Sequence, residues 1–222
     1  MRPERFLVSC RRPHPHPLGG GSAYGSVWDY PLSESARATY YKEWGEIIAQ
    51  LRKFPCIVAW VPFNEGWGQF DTEAVADFTR SQDPTRLINS ASGGNYRMCG
   101  DILDSHNYPS PVMLLRSGGR QIDVVGEYGG IGYAVEGHTW NAEGNWGYKG
   151  LCENGDEVLG KYRHYALEVL LPSIPDGISA AVYTQTTDVE GEVNGIMTYD
   201  REVVKVDEAA LREINRQVRE VL

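Results

Sequence analysis

The sequence has few cysteines for its length and no long apolar run, and these two absences exclude several classes of protein. Four cysteines occur in 222 residues, at Cys10, Cys56, Cys99 and Cys152. Their spacing fits neither a disulfide-rich secreted scaffold nor a zinc site, so we predict no metal site and no other cofactor. No apolar segment reaches about 18 residues, the length that predicts a membrane-spanning helix.

Positive charge is also scarce. Lysine and arginine number 21 against 30 aspartates and glutamates, which gives a formal net charge of −9. We therefore expect neither nucleic acid nor an anionic membrane as a partner. The 41% apolar content is that of a globular domain with a sizeable core. The start of the chain holds no signal-peptide core, and the compartment stays open between cytoplasm and export.

The first 23 residues have the composition of an irregular tail. Alternating prolines in Pro13–Pro17 remove backbone donors, and Gly19–Gly21 raises the conformational entropy of the chain. We therefore predict an irregular segment over residues 1–23 and one folded domain over residues 24–222.

Strands and helices are expected to alternate along this domain, which predicts a parallel sheet built from βαβ units. Apolar residues at helical spacing predict the helices Ser33–Lys53, Asp71–Arg80, Glu157–Leu171 and Asp207–Leu222. Short apolar runs predict strands that end near Asp29, Asn64, Ser90, Asn107, Glu127 and Tyr183.

Two glutamates follow apolar runs that are typical of buried strands. Ile57–Val61 leads into Asn64-Glu65, and a second run, Val124-Val125, leads into Glu127. In parallel α/β folds the carboxyl ends of strands hold the chemistry, because loops converge there. Aromatic neighbours are expected to raise the pKa of Glu65, which suits a general acid. The alternative is that the Asn-Glu pair only caps the next helix.

The two motifs together are specific. Asn64-Glu65, the longer segment Phe54–Gln69 and Gly126-Glu127-Tyr128 resemble the catalytic halves of the family 2 glycoside hydrolases, a group that includes β-galactosidases, β-glucuronidases and β-mannosidases. The resemblance implies a (β/α)8 TIM barrel and a retaining exo-β-glycosidase. It makes Glu65 the acid/base and Glu127 the nucleophile, with the carboxyls about 5 Å apart.

The predicted strands do not complete such a barrel. A (β/α)8 barrel needs eight strands and about 250 residues, whereas about six strands are predicted here. We therefore expect a partial barrel over residues 24–222, N-terminally truncated, with upstream sandwich domains and barrel strands missing from this chain. The activity of the 222 residues alone stays open.

The resemblance also implies a carbohydrate-binding set around the two glutamates. Asn64 is expected to donate to the sugar 2-hydroxyl, and Tyr108 to hydrogen-bond the nucleophile. For His106, contact with a sugar hydroxyl and a role in the core are both open. For the aromatic candidates, stacking on the sugar and plain packing are both open; they are Trp67, Trp140 and Tyr183. The glycine- and tryptophan-rich segment Tyr133–Tyr148 is predicted to form a flap over the site.

The substrate is less well specified. The Asn-x-Lys pair of β-glucuronidases is missing, and Gly130 stands where β-galactosidases commonly carry a histidine. A β-galactosidase-like activity is the expectation by family frequency only. The alternatives are a non-catalytic or nearly inactive barrel fragment that binds carbohydrate, and another member of the same clan such as an endo-glucanase.

Overall fold

The structure is a computed structural model, and it describes residues 8–9, 29–66, 68–94, 97–108, 110–113 and 115–221; for residues 8–9 only the backbone is described. The chain divides into two compact units. Unit 1 comprises Met1–Ser105 and Leu115–Val124, and unit 2 comprises His106–Leu114 and Val125–Leu222. Each unit is described by itself.

Helices and strands are both present along the chain, as expected for an α/β fold, but the predicted alternation is incomplete, since three successive strands have no helix between them among the described residues. The strands are β1 (Val8–Ser9), β2 (Ala59–Val61), β3 (Leu87–Ile88), β4 (Ile102–His106), β5 (Ile122–Gly129) and β6 (Ala180–Thr184). The helices are α1 (Glu34–Leu51), α2 (Thr72–Gln82), α3 (Gly155–Arg163), α4 (Leu171–Ser173) and α5 (Glu208–Arg219), and a π-helical segment, His164–Leu170, joins α3 to α4. The predicted helices are confirmed, the third with this π-helical interruption.

The first sheet, in unit 1, is parallel and has the strand order β1-β2-β3. Val8 pairs with Trp60, and Trp60 pairs with Ile88 on its other side. The predicted irregular tail therefore contains a two-residue strand, and the rest of residues 1–23 lies outside the described residues. The strand predicted to end near Asp29 is not seen at Asp29 or Tyr30.

The second sheet has the order β4-β5-β6. In both sheets, strands that are neighbours in space follow one another along the chain, and in the first sheet a helix lies between each pair of successive strands, as in βαβ units. The α/β class is confirmed. No closed barrel is present in the part of the chain that the structure describes, so the TIM barrel stays a prediction.

The core of unit 1 is formed by aromatic side chains of α1 and β2. Trp44 and Trp60 are buried, and their rings pack edge to face with centroids 5.9 Å apart. The indole N–H of Trp44 donates to Thr79 Oγ1, and that of Trp60 to Asp83 Oδ2, so neither polar group is buried without a partner. Ser33 caps α1 by accepting a hydrogen bond from the Ala36 N–H.

Unit 2 buries a separate core beneath α3, the π-helical segment and α5. Val158, Ala166 and Ile214 lie in it, and Asp207 caps α5 by accepting a hydrogen bond from the Ala210 N–H. Among the described cysteines, Cys56, Cys99 and Cys152 are free. Within the described ranges, no helix is long and apolar enough to cross a membrane.

Candidate active site

One predicted site residue of unit 1, Glu65, lies in the turn that follows β2. Glu65 adopts a φ of 54° and Gly66 a φ of 76°, so two successive residues lie in the left-handed region. This conformation is ordinary for glycine but costs a glutamate about 1–3 kcal/mol. Strain of this kind persists only where the surroundings impose it, and it is concentrated at functional sites. The turn thus holds Glu65 in a fixed orientation.

The loop after β3 imposes this turn. The Glu65 N–H donates to the Ser92 carbonyl at 2.6 Å, and the Ser92 N–H donates to the Phe63 carbonyl at 2.9 Å. Asn64 is buried and forms a parallel bridge with Ser92. Residues 63–65 are therefore fixed by backbone contacts with a single residue, Ser92.

Ser92 is held in turn by a buried carboxylate of β4. Asp104 is 1% exposed, and its Oδ2 accepts hydrogen bonds from Ser92 Oγ at 2.5 Å and from Asn89 Nδ2 at 2.6 Å. A buried charge needs such donors, because burial without them is costly. Sequence reasoning missed these residues, although an aspartate inside the apolar strand Ile102–His106 is a visible signal.

A cluster of predicted site residues lies in unit 2, around Glu127 in β5. The Tyr108 hydroxyl donates to Glu127 Oε2, and His106 Nδ1 lies 3.4 Å from the same oxygen. The Asn107 N–H donates to the Glu127 carbonyl at 2.9 Å, which fixes the backbone beside this cluster. The glutamate side chain is 19% exposed and that of His106 only 5%. The structure thus brings together three of the predicted site residues.

Tyr108 remains a neutral hydrogen-bond donor at ordinary pH. Burial first, and then its hydrogen bonds with Glu127 and Tyr148, raise the pKa of Tyr108 far above the ordinary value of 10.0. A neutral hydroxyl that donates to a carboxylate favours the ionised form of that carboxylate. Such a contact suits a glutamate that must act as an anion.

Two glycines after Glu127 leave room for aromatic rings. A Cβ at Gly129 would lie 2.3 Å from the Tyr183 ring, and one at Gly130 would lie 2.5 Å from Tyr148 and 2.8 Å from Tyr108. Both residues also have positive φ angles, 101° and 61°. Any other residue at these positions would displace the rings that surround β5.

The aromatic residues that are candidates for stacking on the sugar have different surroundings. Tyr183 packs edge to face against Tyr128 at 5.6 Å and Tyr162 at 5.1 Å, and burial raises its pKa. Trp140 is 62% exposed, with Tyr199 edge-on at 5.5 Å. The ring of Tyr183 is therefore packed against other rings, whereas the ring of Trp140 is accessible. Trp67 lies outside the described residues.

The fold is similar to that of several bacterial β-glucuronidases. An FMN-binding β-glucuronidase from Facaelibacterium prausnitzii L2-6 matches with a TM-score of 0.53 and 17% identity, over 81% of this chain and 32% of that one. A Parabacteroides merdae β-glucuronidase with glycerol in its active site matches with a TM-score of 0.51 and 15% identity, over 81% and 27%. Bacteroides uniformis β-glucuronidase 2, covalently bound to cyclophellitol-6-carboxylate aziridine, matches with a TM-score of 0.52 and 14% identity, over 78% and 25%.

These similarities concern the fold only, and each match covers only part of the solved structure. The chain spans about a quarter to a third of the length of the solved structures it matches. No protein-family model matches the sequence, and no curated protein does. The chain thus has a glycoside hydrolase-like fold, and its activity is a matter for proposal.

Proposed function

We propose that this chain carries the catalytic residues of a retaining exo-β-glycosidase, with Glu127 as the nucleophile. The observation that carries the proposal is the Tyr108 hydroxyl donating to the Glu127 carboxylate at the end of a buried strand. A carboxylate that attacks an anomeric carbon must be ionised, and a hydrogen bond from a neutral hydroxyl stabilises that form. His106 Nδ1 lies 3.4 Å from the same carboxylate oxygen, and we propose that His106 contacts a sugar hydroxyl next to the anomeric carbon.

Glu65 is proposed as the acid/base of the same reaction. In the first step it protonates the leaving oxygen while Glu127 forms a glycosyl ester; in the second it takes a proton from water, which attacks and releases Glu127. The left-handed turn that fixes Glu65 supports this role, because proton transfer needs an acid held in one orientation. Asn64, preceding it, is proposed to donate to the sugar 2-hydroxyl.

The solved structures support the substrate class. They are β-glucuronidases, and one of them is described as covalently bound to a cyclophellitol-type aziridine. The missing Asn-x-Lys pair gives no support for a glucuronide, and we propose a β-galactoside-like neutral sugar as the first substrate to test.

The test uses fluorogenic 4-methylumbelliferyl β-glycosides of galactose, glucuronic acid, glucose and mannose. We expect turnover of at least one, with the β-anomer released first in an NMR time course, since two inversions retain configuration. Glu127→Ala and Glu65→Ala should each lose activity on the order of a hundredfold or more. Glu168→Ala, at an exposed glutamate whose side chain is 66% accessible, is the matched control and should leave the rate unchanged.

Added azide separates the two roles. In Glu127→Ala it should attack in place of the carboxylate and give the α-glycosyl azide, whereas in Glu65→Ala it should intercept the glycosyl-enzyme and give the β-azide. Interchanged products would exchange the two assignments. Saturable sugar binding without turnover in the unaltered chain would contradict the proposal and favour a non-catalytic carbohydrate-binding fragment.

A further inference from the structure

We propose that Trp146, together with Tyr148, forms the surface on which the leaving-group sugar of the substrate stacks. The inference rests on the proposed function and deepens it, because it assigns the substrate as a β-linked disaccharide or longer chain rather than a glycoside with a small leaving group. Both residues lie at the end of the Tyr133–Tyr148 segment, and neither belongs to the predicted site set.

The two side chains are adjacent and accessible. Trp146 is 45% exposed and Tyr148 is 41% exposed. Their ring centroids are 5.4 Å apart, and the ring planes are inclined by 59°. Large aromatic side chains are mostly buried in folded proteins, and adjoining exposed ones are typical of surfaces that bind other molecules.

A row of contacts joins this surface to the proposed nucleophile. The ring of Tyr148 is stacked on that of Tyr108 with an interplanar angle of 5°, and the Tyr108 hydroxyl donates to Glu127 Oε2. Trp146 follows Tyr148 in this row. In an exo-glycosidase the terminal sugar lies at the nucleophile, and the next sugar along is the leaving group. The order of contacts therefore assigns Trp146 to the leaving group.

The backbone fixes this surface before any sugar binds. The Trp146 N–H donates to the Gly191 carbonyl at 2.8 Å, and the Trp146 carbonyl accepts the Val193 N–H at 3.0 Å. The Tyr148 N–H donates to the Gly130 carbonyl at 3.0 Å. Because the chain itself orders the two aromatic residues, a sugar that stacks on them does not bear the entropic cost of ordering them.

Two glycines allow the aromatic pair to lie close to the residues that follow β5. A Cβ at Gly147 would lie 2.6 Å from Gly132 Cα, and one at Gly132 would lie 2.9 Å from Gly147 Cα. No side chain fits between the two backbones at this point. Trp146 and Tyr148, on either side of Gly147, are therefore held beside the loop that follows the proposed nucleophile.

The indole of Trp146 offers the two contacts that a pyranose can use. Its π-face carries negative partial charge and attracts the C–H groups on the flat face of a sugar, and its N–H can donate to a hydroxyl. The indole N–H groups of the buried Trp44 and Trp60 both have side-chain acceptors. Within the described residues the N–H of Trp146 has no acceptor, so it is available to a sugar hydroxyl.

The test compares leaving groups on one glycone, the sugar of the panel that the chain hydrolyses. It uses the methyl β-glycoside of that sugar and the disaccharides in which glucose is the leaving group through its 3-, 4- or 6-hydroxyl. For Trp146→Leu we expect kcat/KM to fall about 3- to 10-fold on the best disaccharide and less than about twofold on the methyl glycoside, because only the disaccharide has a second ring. Each rate is divided by that of the unaltered chain on the same substrate, so the intrinsic reactivity of the leaving group cancels.

Two further variants separate stacking from general loss of apolar surface. Trp146→Phe keeps an aromatic face and should retain about half or more of the disaccharide activity. Val221→Ala, at an apolar side chain that is 52% exposed after α5, is the control and should change neither rate.

Several results would overturn the inference while the unaltered chain still acts as a glycosidase. Equal losses on both kinds of substrate would show that Trp146 only supports its loop, and undiminished disaccharide hydrolysis in Trp146→Leu would show that no sugar stacks there. Hydrolysis of the methyl glycoside without hydrolysis of any disaccharide would exclude a sugar as the leaving group.

An unaltered chain without turnover on any glycoside of the panel would overturn the proposed function, and calorimetric titration of the disaccharides then tests the surface itself. Binding that is about 3- to 10-fold weaker in Trp146→Leu would support a sugar-stacking surface. Equally tight binding to both chains, or no binding to either, would overturn the inference as well.

Discussion

The hydroxyl of Ser92 donates a 2.5 Å hydrogen bond to the buried carboxylate of Asp104, while the carbonyl of Ser92 accepts the N–H of Glu65. One residue therefore joins a buried charge in β4 to the strained turn that carries the proposed acid/base. The orientation of Glu65 depends on Ser92, which a loop after a neighbouring strand supplies.

Ser92→Ala should reduce both kcat and stability. Losing one hydrogen bond to a buried carboxylate costs about 1.5–3 kcal/mol, and Asn89 still donates to the same oxygen. The freed loop should let Glu65 leave its left-handed conformation, and we expect kcat on a fluorogenic glycoside to fall at least tenfold with KM little changed. Urea unfolding and steady-state kinetics measure the two effects.

The matched control is Ser90→Ala. Ser90 is buried in the same loop region, but its hydroxyl donates to the Cys99 carbonyl rather than to a residue that holds the Glu65 turn. We expect a stability loss of about 1 kcal/mol without a change in kcat. Equal kinetic losses in the two variants would show that Ser92 contributes only general stability.

Trp140→Ala should change substrate binding and leave stability intact. The ring is 62% exposed and touches Tyr199 only edge-on, so little buried area is lost. If this ring stacks on the substrate, its removal should raise KM about 2- to 10-fold, the usual value of one aromatic contact. Trp44→Ala, at a tryptophan that is 1% exposed, should instead lower the free energy of unfolding by about 3–5 kcal/mol. A large stability loss for Trp140→Ala with unaltered KM would indicate packing.

Lys205→Met should strongly destabilise unit 2. Lys205 Nζ donates to Asp188 Oδ1 at 2.7 Å and to the carbonyls of Tyr133 and Val193, and the two charged side chains are 0% and 2% exposed. Burial lowers the pKa of Lys205 and raises that of Asp188, as expected for charges taken out of water. Leaving Asp188 buried without its counterion should cost about 3–5 kcal/mol in urea unfolding.

The exposed pair Arg212–Glu208 provides the comparison. Its side chains are 79% and 56% accessible, so Arg212→Met should change the free energy of unfolding by less than about 1 kcal/mol. A Lys205→Met variant no less stable than Arg212→Met would show that the buried pair does not hold the Tyr133 loop.

Stability should depend on pH through Asp200. Hydrogen bonds from the Thr198 hydroxyl first, and then from His138, lower the pKa of Asp200 from 3.8 to about 2. A carboxyl group whose pKa is lower in the folded protein than in the unfolded chain stabilises the folded state at pH values above the pKa of the unfolded chain. This contribution is lost as the pH falls through the pKa of the folded protein. The melting temperatures of the unaltered protein and of Asp200→Asn should therefore differ at pH 5 and converge between pH 4 and pH 2. A difference that stays constant over this range would contradict the pKa shift.

Much of the fold was predictable because it depends on local sequence. Ser33 and Asp207 cap helices that were predicted to begin at these residues. Trp44 lies in the predicted helix Ser33–Lys53 and Trp60 in the apolar run Ile57–Val61, and both are buried. The strand before Glu65 and the strand that contains Glu127 also follow from continuous apolar runs. Val8–Ser9 was missed, because two residues among prolines and glycines carry no periodic signal and are a strand only through their pairing with β2.

The supports of the candidate site were less predictable. Tyr108 beside Glu127 followed from the family resemblance, and the structure has that contact. The positions of Ser92 and Tyr148 depend on how loops from separate strands meet, which no local pattern encodes. Only Asp104 had a visible signal, since a charged residue in the middle of an apolar strand needs buried partners.

Covalent labelling of Glu127 tests the central claim most directly. A retaining glycosidase forms a glycosyl ester on its nucleophile, and a cyclophellitol-type aziridine of the matching sugar traps that residue by ring opening. After incubation and proteolysis, mass spectrometry should find one added inhibitor, located on Glu127, with labelling abolished in Glu127→Gln and retained in Glu168→Gln. Labelling at another residue, or no labelling by the aziridine of a sugar whose glycoside the chain hydrolyses, would contradict the assignment of Glu127 as the nucleophile.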